Sequence, residues 1–171
     1  RLACSHFGWS ANSPPTGQRA APLASSPPPQ RAVYKGTMTR ILVVDDNAAV
    51  CTALRILFEL EGIEVECVDG PHPAQARVAK GGIDLVIQDM NFSRDTTSGE
   101  EGVALFGELR RLEPGLPIIL LTAWTHLETA VELVRQGAAD YLAKPWDNAR
   151  LVTTVRNLLQ LQAALTAERE R

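Results

Sequence analysis

Five residues in this chain of 171 stand where chemistry is possible: each comes at the end of a short apolar run. Asp45-Asp46 follows the run 41–44, Asp89 comes just after 83–87, Thr122 follows 118–121, and Lys144, with Pro145 behind it, follows 141–143. Such runs read as buried strands, and in an open parallel sheet the ligand site lies beyond the carboxyl ends of the strands, near the point where strand order reverses. All five residues then share one rim. A single Asp at a strand end is ordinarily a turn or cap residue, but three carboxylates, a hydroxyl and a lysine in these slots point to a reactive site. Carboxylates that converge repel one another, so Asp45, Asp46 and Asp89 call for a hard divalent cation with oxygen ligands, and Mg²⁺ suits them. With that charge and the Lys144 ammonium in place, a phosphoryl group can be held in line with an Asp89 oxygen. Asp89 would then act as the nucleophile and become an acyl phosphate, with catalysis resting on positioning and electrostatics.

The elements that must position these residues are legible in the same pattern. A fifth apolar run spans 63–68, and helical stretches are expected at 48–61, 73–80, 100–112, 126–136 and from Asn148 onward. Gly62, Gly81-Gly82, Pro114-Gly115 and Gly137 punctuate them. Ser98-x-x-Glu101 and Thr125-x-x-Glu128 have the form of capping boxes that start the third and fourth helices. Strands that alternate with helices predict an α/β fold with a parallel five-stranded sheet.

Composition narrows the class of partner. With 45% apolar and 22% charged residues the chain is globular and of a length for about one domain. Residues 1–37 carry four basic and no acidic side chains, leaving 13 basic against 20 acidic from Met38 onward, a net of −7. An acidic domain is a poor match for a nucleic-acid backbone, so no direct nucleic-acid contact is expected. Residues 1–37, rich in Pro, Ser and Ala without periodicity, are expected to be a disordered extension outside the natural chain, which would start at Met38. Cys4, Cys51 and Cys67 are odd in number and lack metal-type spacing, so they read as reduced thiols of a cytoplasmic protein. His6, His72 and His126 are scattered and read as surface or capping residues. No apolar run reaches the ~20 residues of a membrane span, and no G-x-G-x-x-G follows the first strand.

The motifs I-L-V-V-D-D-N (41–47), Asp89, L-L-T-A (120–123) and D-Y-L-A-K-P (140–145) together resemble the receiver domains of two-component response regulators. The resemblance implies a flavodoxin-like, doubly wound five-stranded parallel sheet of order 2-1-3-4-5 with five helices. It makes Asp45 and Asp46 the metal-binding pair, Asp89 the phosphoacceptor and Asn91 a metal ligand through its backbone carbonyl. Thr122 becomes the switch hydroxyl, Tyr141 the switch aromatic, and Lys144 the invariant cation before a cis Lys144-Pro145 bond. Asn91 and Trp124 would flank the path of water to the phosphoryl group, Asn91 orienting a water and Trp124 shielding the group. One stretch departs from the family: Ser93 stands where a proline is usual, and Gly102 comes 13 positions after Asp89 rather than eight. The loop 90–99 is therefore longer, in the manner of some receivers attached to enhancer-binding activators of the nitrogen-regulation type.

These readings imply a receiver over 38–160 that takes a phosphoryl group from a sensor histidine kinase. Output would pass through the fourth helix, fifth strand and fifth helix to a domain or partner regulating transcription, with a homodimer possible. The last helix, with Leu151, Val155 and Leu158 on the sheet, would run on over 161–171 as the start of a linker, about 36 Å in all. A stand-alone receiver or phosphorelay shuttle is the alternative. A phosphohydrolase of the haloacid-dehalogenase group would need D-x-D after the first strand, and Asp45-Asp46-Asn47 lacks that spacing, so the chain is not expected to be an enzyme.

Overall fold

The computed structural model describes residues 38–92, 99–123 and 126–171; the expectations for 1–37, Ser93, Ser98, Trp124 and Thr125 lie outside them. Burial explains the composition of the strands. β1 (Arg40–Val44), β3 (Leu85–Asp89) and β4 (Ile118–Thr122) are buried over all or nearly all of their length, whereas β2 (Glu64–Val68) and β5 (Asp140–Ala143) are only partly so. That is what a sheet covered on both faces requires: inner strands meet helices above and below, and edge strands keep one side open. All pairings are parallel, in the order β2-β1-β3-β4-β5.

Successive side chains on a strand point to opposite faces, and this divides the core in two. Leu42, Val44, Val86, Ile118 and Leu120 face α2 (Pro71–Ala79), α3 (Glu100–Leu112) and α4 (Leu127–Arg135). Ile41, Val43, Leu85, Ile87, Ile119 and Leu121 face α1 (Ala48–Glu59) and α5 (Asn148–Arg169). Leu54 and Phe58, one turn apart on α1, are fully buried, and each contributes about 1.5–3 kcal/mol of apolar transfer. Because β1 pairs with β2 on one side and β3 on the other, the chain reverses direction across the sheet at β1. The crevice that opens there lies at the ends of β1 and β3, next to Asp45 and Asp89.

α1, α3 and α5 start where expected, at Ala48, Glu100 and Asn148, whereas α2 and α4 do not. α2 begins at Pro71 rather than 73, since a proline costs nothing in a first turn whose N–H groups have no intrahelical acceptor. The N-caps are Gly99 for α3, in the left-handed region at φ 71°, and His126 for α4, neither with a side-chain cap bond; Ser98 and Thr125 of the expected capping boxes lie outside the described residues. Asn47 and Asp147 do cap α1 and α5, accepting from the backbone N–H of Ala49 and Arg150 at 3.0 and 2.7 Å. On α5, Leu151, Val155 and Leu159 are buried, and the expected Leu158 packs beside them half-buried. Beyond them Leu161 and Leu165 are exposed, while Gln162 Nε2 still donates to the Gly115 carbonyl at 2.7 Å. No helix among the described residues is long and apolar enough to cross a membrane.

The cysteine expectation is corrected. Cys51 on α1 and Cys67 on β2 form a disulfide, their Cα atoms 6.2 Å apart, within the usual range for a bridge. Local spacing could not show this, because the pair meets only when α1 packs back across β2. Reduction should lower unfolding free energy by about 3 kcal/mol, the value for a closed loop near this size. Urea melts with and without a thiol reductant would measure it, and coincident midpoints would show that the bridge does not constrain the unfolded chain.

Candidate functional site

Asp45 is held at the carboxyl end of β1 by two bonds. Its N–H donates to the Val68 carbonyl at 3.1 Å, and its Oδ1 accepts from the Asn47 N–H at 2.8 Å. Asp45 is buried and Asp46 is exposed. Asp89 is the last residue of β3 and is buried; its Oδ1 accepts from the Met90 N–H at 2.9 Å, and that same N–H reaches the Leu121 carbonyl at 3.1 Å. The two aspartates therefore sit on adjacent strands of one rim, with Asp46 beside them. One carboxylate oxygen from each of Asp45, Asp46 and Asp89 lies within 4.8 Å of the others.

Lys144 comes to this cluster from the far edge of the sheet. Its backbone N–H donates to the Thr122 carbonyl at 2.8 Å, which ties it to β4, and a cis Lys144-Pro145 bond turns the chain there. Its Nζ then stands 2.9 Å from Asp45 Oδ2 and 3.2 Å from Asp89 Oδ1. Burial holds the Asp89 carboxyl above its ordinary value; Lys144 opposes this, and Asp45 adds to it. For Lys144, burial works to lower the ammonium, but the bonds and attraction from Asp45 and Asp89 outweigh it and the net shift is upward. Among the described residues Lys144 is the cation paired with this cluster, through Asp45 and Asp89, so the donor set is short of positive charge and rich in hard oxygen.

Thr122 ends β4, is fully buried, and donates from Oγ1 to the Ala123 carbonyl at 3.0 Å. It lies two residues past Leu120 on the α3 and α4 side of the sheet, the side against which Tyr141 packs half-buried. Thr122 and Tyr141 thus share one face across the β4 and β5 pairing, Tyr141 opposite Leu120. Asn91 follows Asp89 by two residues, and its side chain is engaged: Oδ1 accepts from the Gly99 N–H at 3.1 Å. The side chain expected to orient a water thus has a partner within the fold. Trp124, expected as a shield, lies outside the described residues.

Two residues at the site carried no assignment in the sequence, and a third, Glu101, was read there only as part of a capping box. Asn47 braces Asp45 through its N–H. Gln88 sits fully buried in β3, with Nε2 donating to the Gly102 carbonyl at 2.8 Å and Oε1 buried without a hydrogen-bond partner among the described residues. Glu101 accepts the Phe92 N–H at 3.2 Å. A polar Gln inside the apolar stretch L-V-I-Q-D was the available signal for the second, since a buried polar side chain requires a partner.

A parallel sheet with its acids, lysine and hydroxyl gathered at the switch point is the arrangement of a phosphoacceptor domain. The model of the response regulator receiver domain matches residues 41–156, and the chain belongs to that family. Over 119 residues it is 39% identical to the transcriptional regulatory protein ZraR of Salmonella typhimurium, an alignment covering 70% of this chain and 26% of that protein. The chain thus spans about a quarter of the curated relatives it matches. Among solved structures, a response regulator receiver domain protein of Clostridium thermocellum matches with a TM-score of 0.68 at 25% identity, covering 75% of this chain and 99% of that one. NtrX of Brucella abortus matches with a TM-score of 0.67 at 27% identity, covering 78% of this chain and 30% of that one.

Proposed function

We propose that Asp89 accepts a phosphoryl group from a phosphohistidine of a sensor kinase and that the modified domain then changes its contacts with an output. The observation that carries this is the Lys144 ammonium bridging Asp45 and Asp89 inside the three-carboxylate cluster. In the transfer, an Asp89 oxygen forms a bond to phosphorus as the phosphorus–nitrogen bond of the donor breaks; the donor ring, protonated on its other nitrogen, takes the bonding pair and leaves as neutral imidazole, and Asp89 becomes an acyl phosphate. Asp45, Asp46, Asp89 and the Asn91 carbonyl would hold Mg²⁺, and the hard carboxylate donor set fits that ion. Bound there, the ion would supply the positive charge that the cluster lacks. Lys144 offsets the charge of the incoming phosphoryl oxygens, and Asn47 keeps Asp45 facing the crevice.

Incubation with Mg²⁺ and a small acyl-phosphate donor should add one phosphoryl group per chain by intact mass. Continuous hydrolysis of a phosphate ester without a stable single label would instead make the protein a phosphohydrolase. The relatives' names support transcription regulation as the output, through a part of the protein outside this chain, and an assignment to enhancer-binding activators rests on the long loop after Asp89. Location in the cytoplasm follows from the same reading, because a kinase phosphohistidine is made there.

The switch would run from Thr122 to Tyr141 and on to the face made by α4, β5 and α5. Phosphate biases this face only if its contacts differ between two conformations. Thr122→Ala should therefore accept phosphate at a rate close to that of the natural protein and yet lose most of the phosphorylation-dependent change in the NMR signals of α4 and β5. Full-size shifts in the variant would remove the hydroxyl from the coupling.

A further inference from the structure

We propose that Glu101, with Asn91 and Gln88, forms a clasp closing the base of the lengthened loop after Asp89, and that Glu101 is thereby a positioning residue for the metal-binding carbonyl of Asn91. This rests on the metal site proposed above.

The end of β3 is tied to the first turn of α3 at several successive points. Gln88 Nε2 donates to the Gly102 carbonyl at 2.8 Å, across 14 residues. Asn91 Oδ1 accepts the Gly99 N–H at 3.1 Å, and Glu101 Oε2 accepts the Phe92 N–H at 3.2 Å. The last two are reciprocal: each end of the segment 92–99 offers a backbone N–H to a side chain at the other. Between them the two backbones touch, for a Cβ placed on Gly102 would lie 2.6 Å from both the Cα and the carbonyl oxygen of Met90. Only glycine permits that approach.

The chemistry explains why Glu101 carries this job. Glu101 lies in the first turn of α3, whose N-cap is Gly99, and its carboxylate reaches across to the Phe92 N–H. An ionised carboxylate makes a stronger acceptor than a neutral amide oxygen, and this one holds the residue directly after Asn91. Added loop length costs little entropy, about 0.6 kcal/mol per doubling, but a site needs its groups held to within about 0.5 Å. Bonds at Phe92 and Gly99 fasten both ends of the insertion and hold the backbone on either side of it, residue 91 included. Outer groups that orient metal ligands change metal affinity by 10–100-fold when removed.

The test compares Mg²⁺ dissociation constants by titration calorimetry for the natural protein, Glu101→Ala, Glu101→Gln and Asp45→Asn. Glu101→Ala should bind at least tenfold more weakly, whereas Glu101→Gln, which loses the charge but keeps an oxygen acceptor, should stay within a few-fold of the natural protein. Equal weakening in both Glu101 variants would make the effect simple charge removal and overturn the clasp, as would unchanged affinity in Glu101→Ala. Asp45→Asn should lose binding; if neither it nor the natural protein binds Mg²⁺ differently, the metal reading fails instead. Hydrogen exchange in metal-free natural protein tests the clasp independently of any variant's folding. The amides of Phe92 and Gly99 should be protected, and exchange at free-peptide rates would overturn it.

Discussion

Asp89→Asn is expected to abolish labelling by a phosphodonor completely and, in Mg²⁺-free buffer, to raise the melting temperature by a few degrees. The first effect follows because an amide offers no anionic oxygen to phosphorus. The second follows from burial. Burial, aided by Asp45, raises the Asp89 carboxyl above its ordinary value against the pull of Lys144, so the folded chain holds that proton more tightly than the unfolded chain does. An ionised Asp89 therefore works against the fold, and stability on its account rises as pH falls through the folded value toward the unfolded one. Asn has nearly the same shape and no charge to desolvate. The gap between variant and natural protein should be widest near neutral pH, shrink as the medium is acidified, and shrink again when Mg²⁺ is added. Labelling retained in the variant would move the acceptor to another residue; a variant that melts below the natural protein would mean that the Asp89 charge is well compensated in the fold.

Why the strands and the acids could be read in advance, and the supports around them could not, is a matter of range. Strands β1, β3 and β4 are buried on both faces, which forces unbroken apolar runs and leaves the residue at each strand end conspicuous: Asp45, Asp89 and Thr122 stood out for that reason. Gly62 closes α1 as expected because a positive φ, here 74°, selects glycine locally. What went unread depends on contacts between distant segments. The bridge from Cys51 to Cys67 needs α1 folded against β2. Gln88, Asn91 and Glu101 find partners 14, 8 and 9 residues away. The approach of Gly102 to Met90 fixes where α3 enters, and Glu101 accepts the Phe92 N–H, a contact that local spacing does not show. Local rules give way where the chain is held by something outside their window, and in this protein those places surround the site.

Lys144→Ala is expected to slow phosphorylation by about 10²–10³-fold, the usual cost of removing one preorganised group that stabilises developing oxyanion charge. The same substitution should leave Mg²⁺ binding intact or tighter. Lys144 Nζ lies 2.9 Å from Asp45 and 3.2 Å from Asp89, so ammonium and metal draw on the same carboxylates, and removing one frees oxygen for the other. Lys144→Arg should not restore the rate, since a planar fork cannot take the place of a compact ammonium between two oxygens. The metal-free variant should also be destabilised, because Asp45 and Asp89 then lose the ammonium that bridges them. Sign and pH window follow from the upward shift of Lys144. A lysine whose folded value is raised contributes stability that is complete below its unfolded value, near 10.5, and is lost as pH climbs through the folded value. Across roughly pH 6–9, below that window, the natural protein should keep this advantage over the variant undiminished. Toward acid the advantage should close for a different reason: the Asp89 carboxyl, freed from the lowering pull of Lys144, climbs further in the variant, so the variant gains stability sooner as it protonates. Melting curves over this range, paired with Mg²⁺ titration and initial labelling rates, separate the three effects. A variant labelled at the natural rate would show that Lys144 only braces Asp45 and Asp89 and takes no part in stabilising the transferred group.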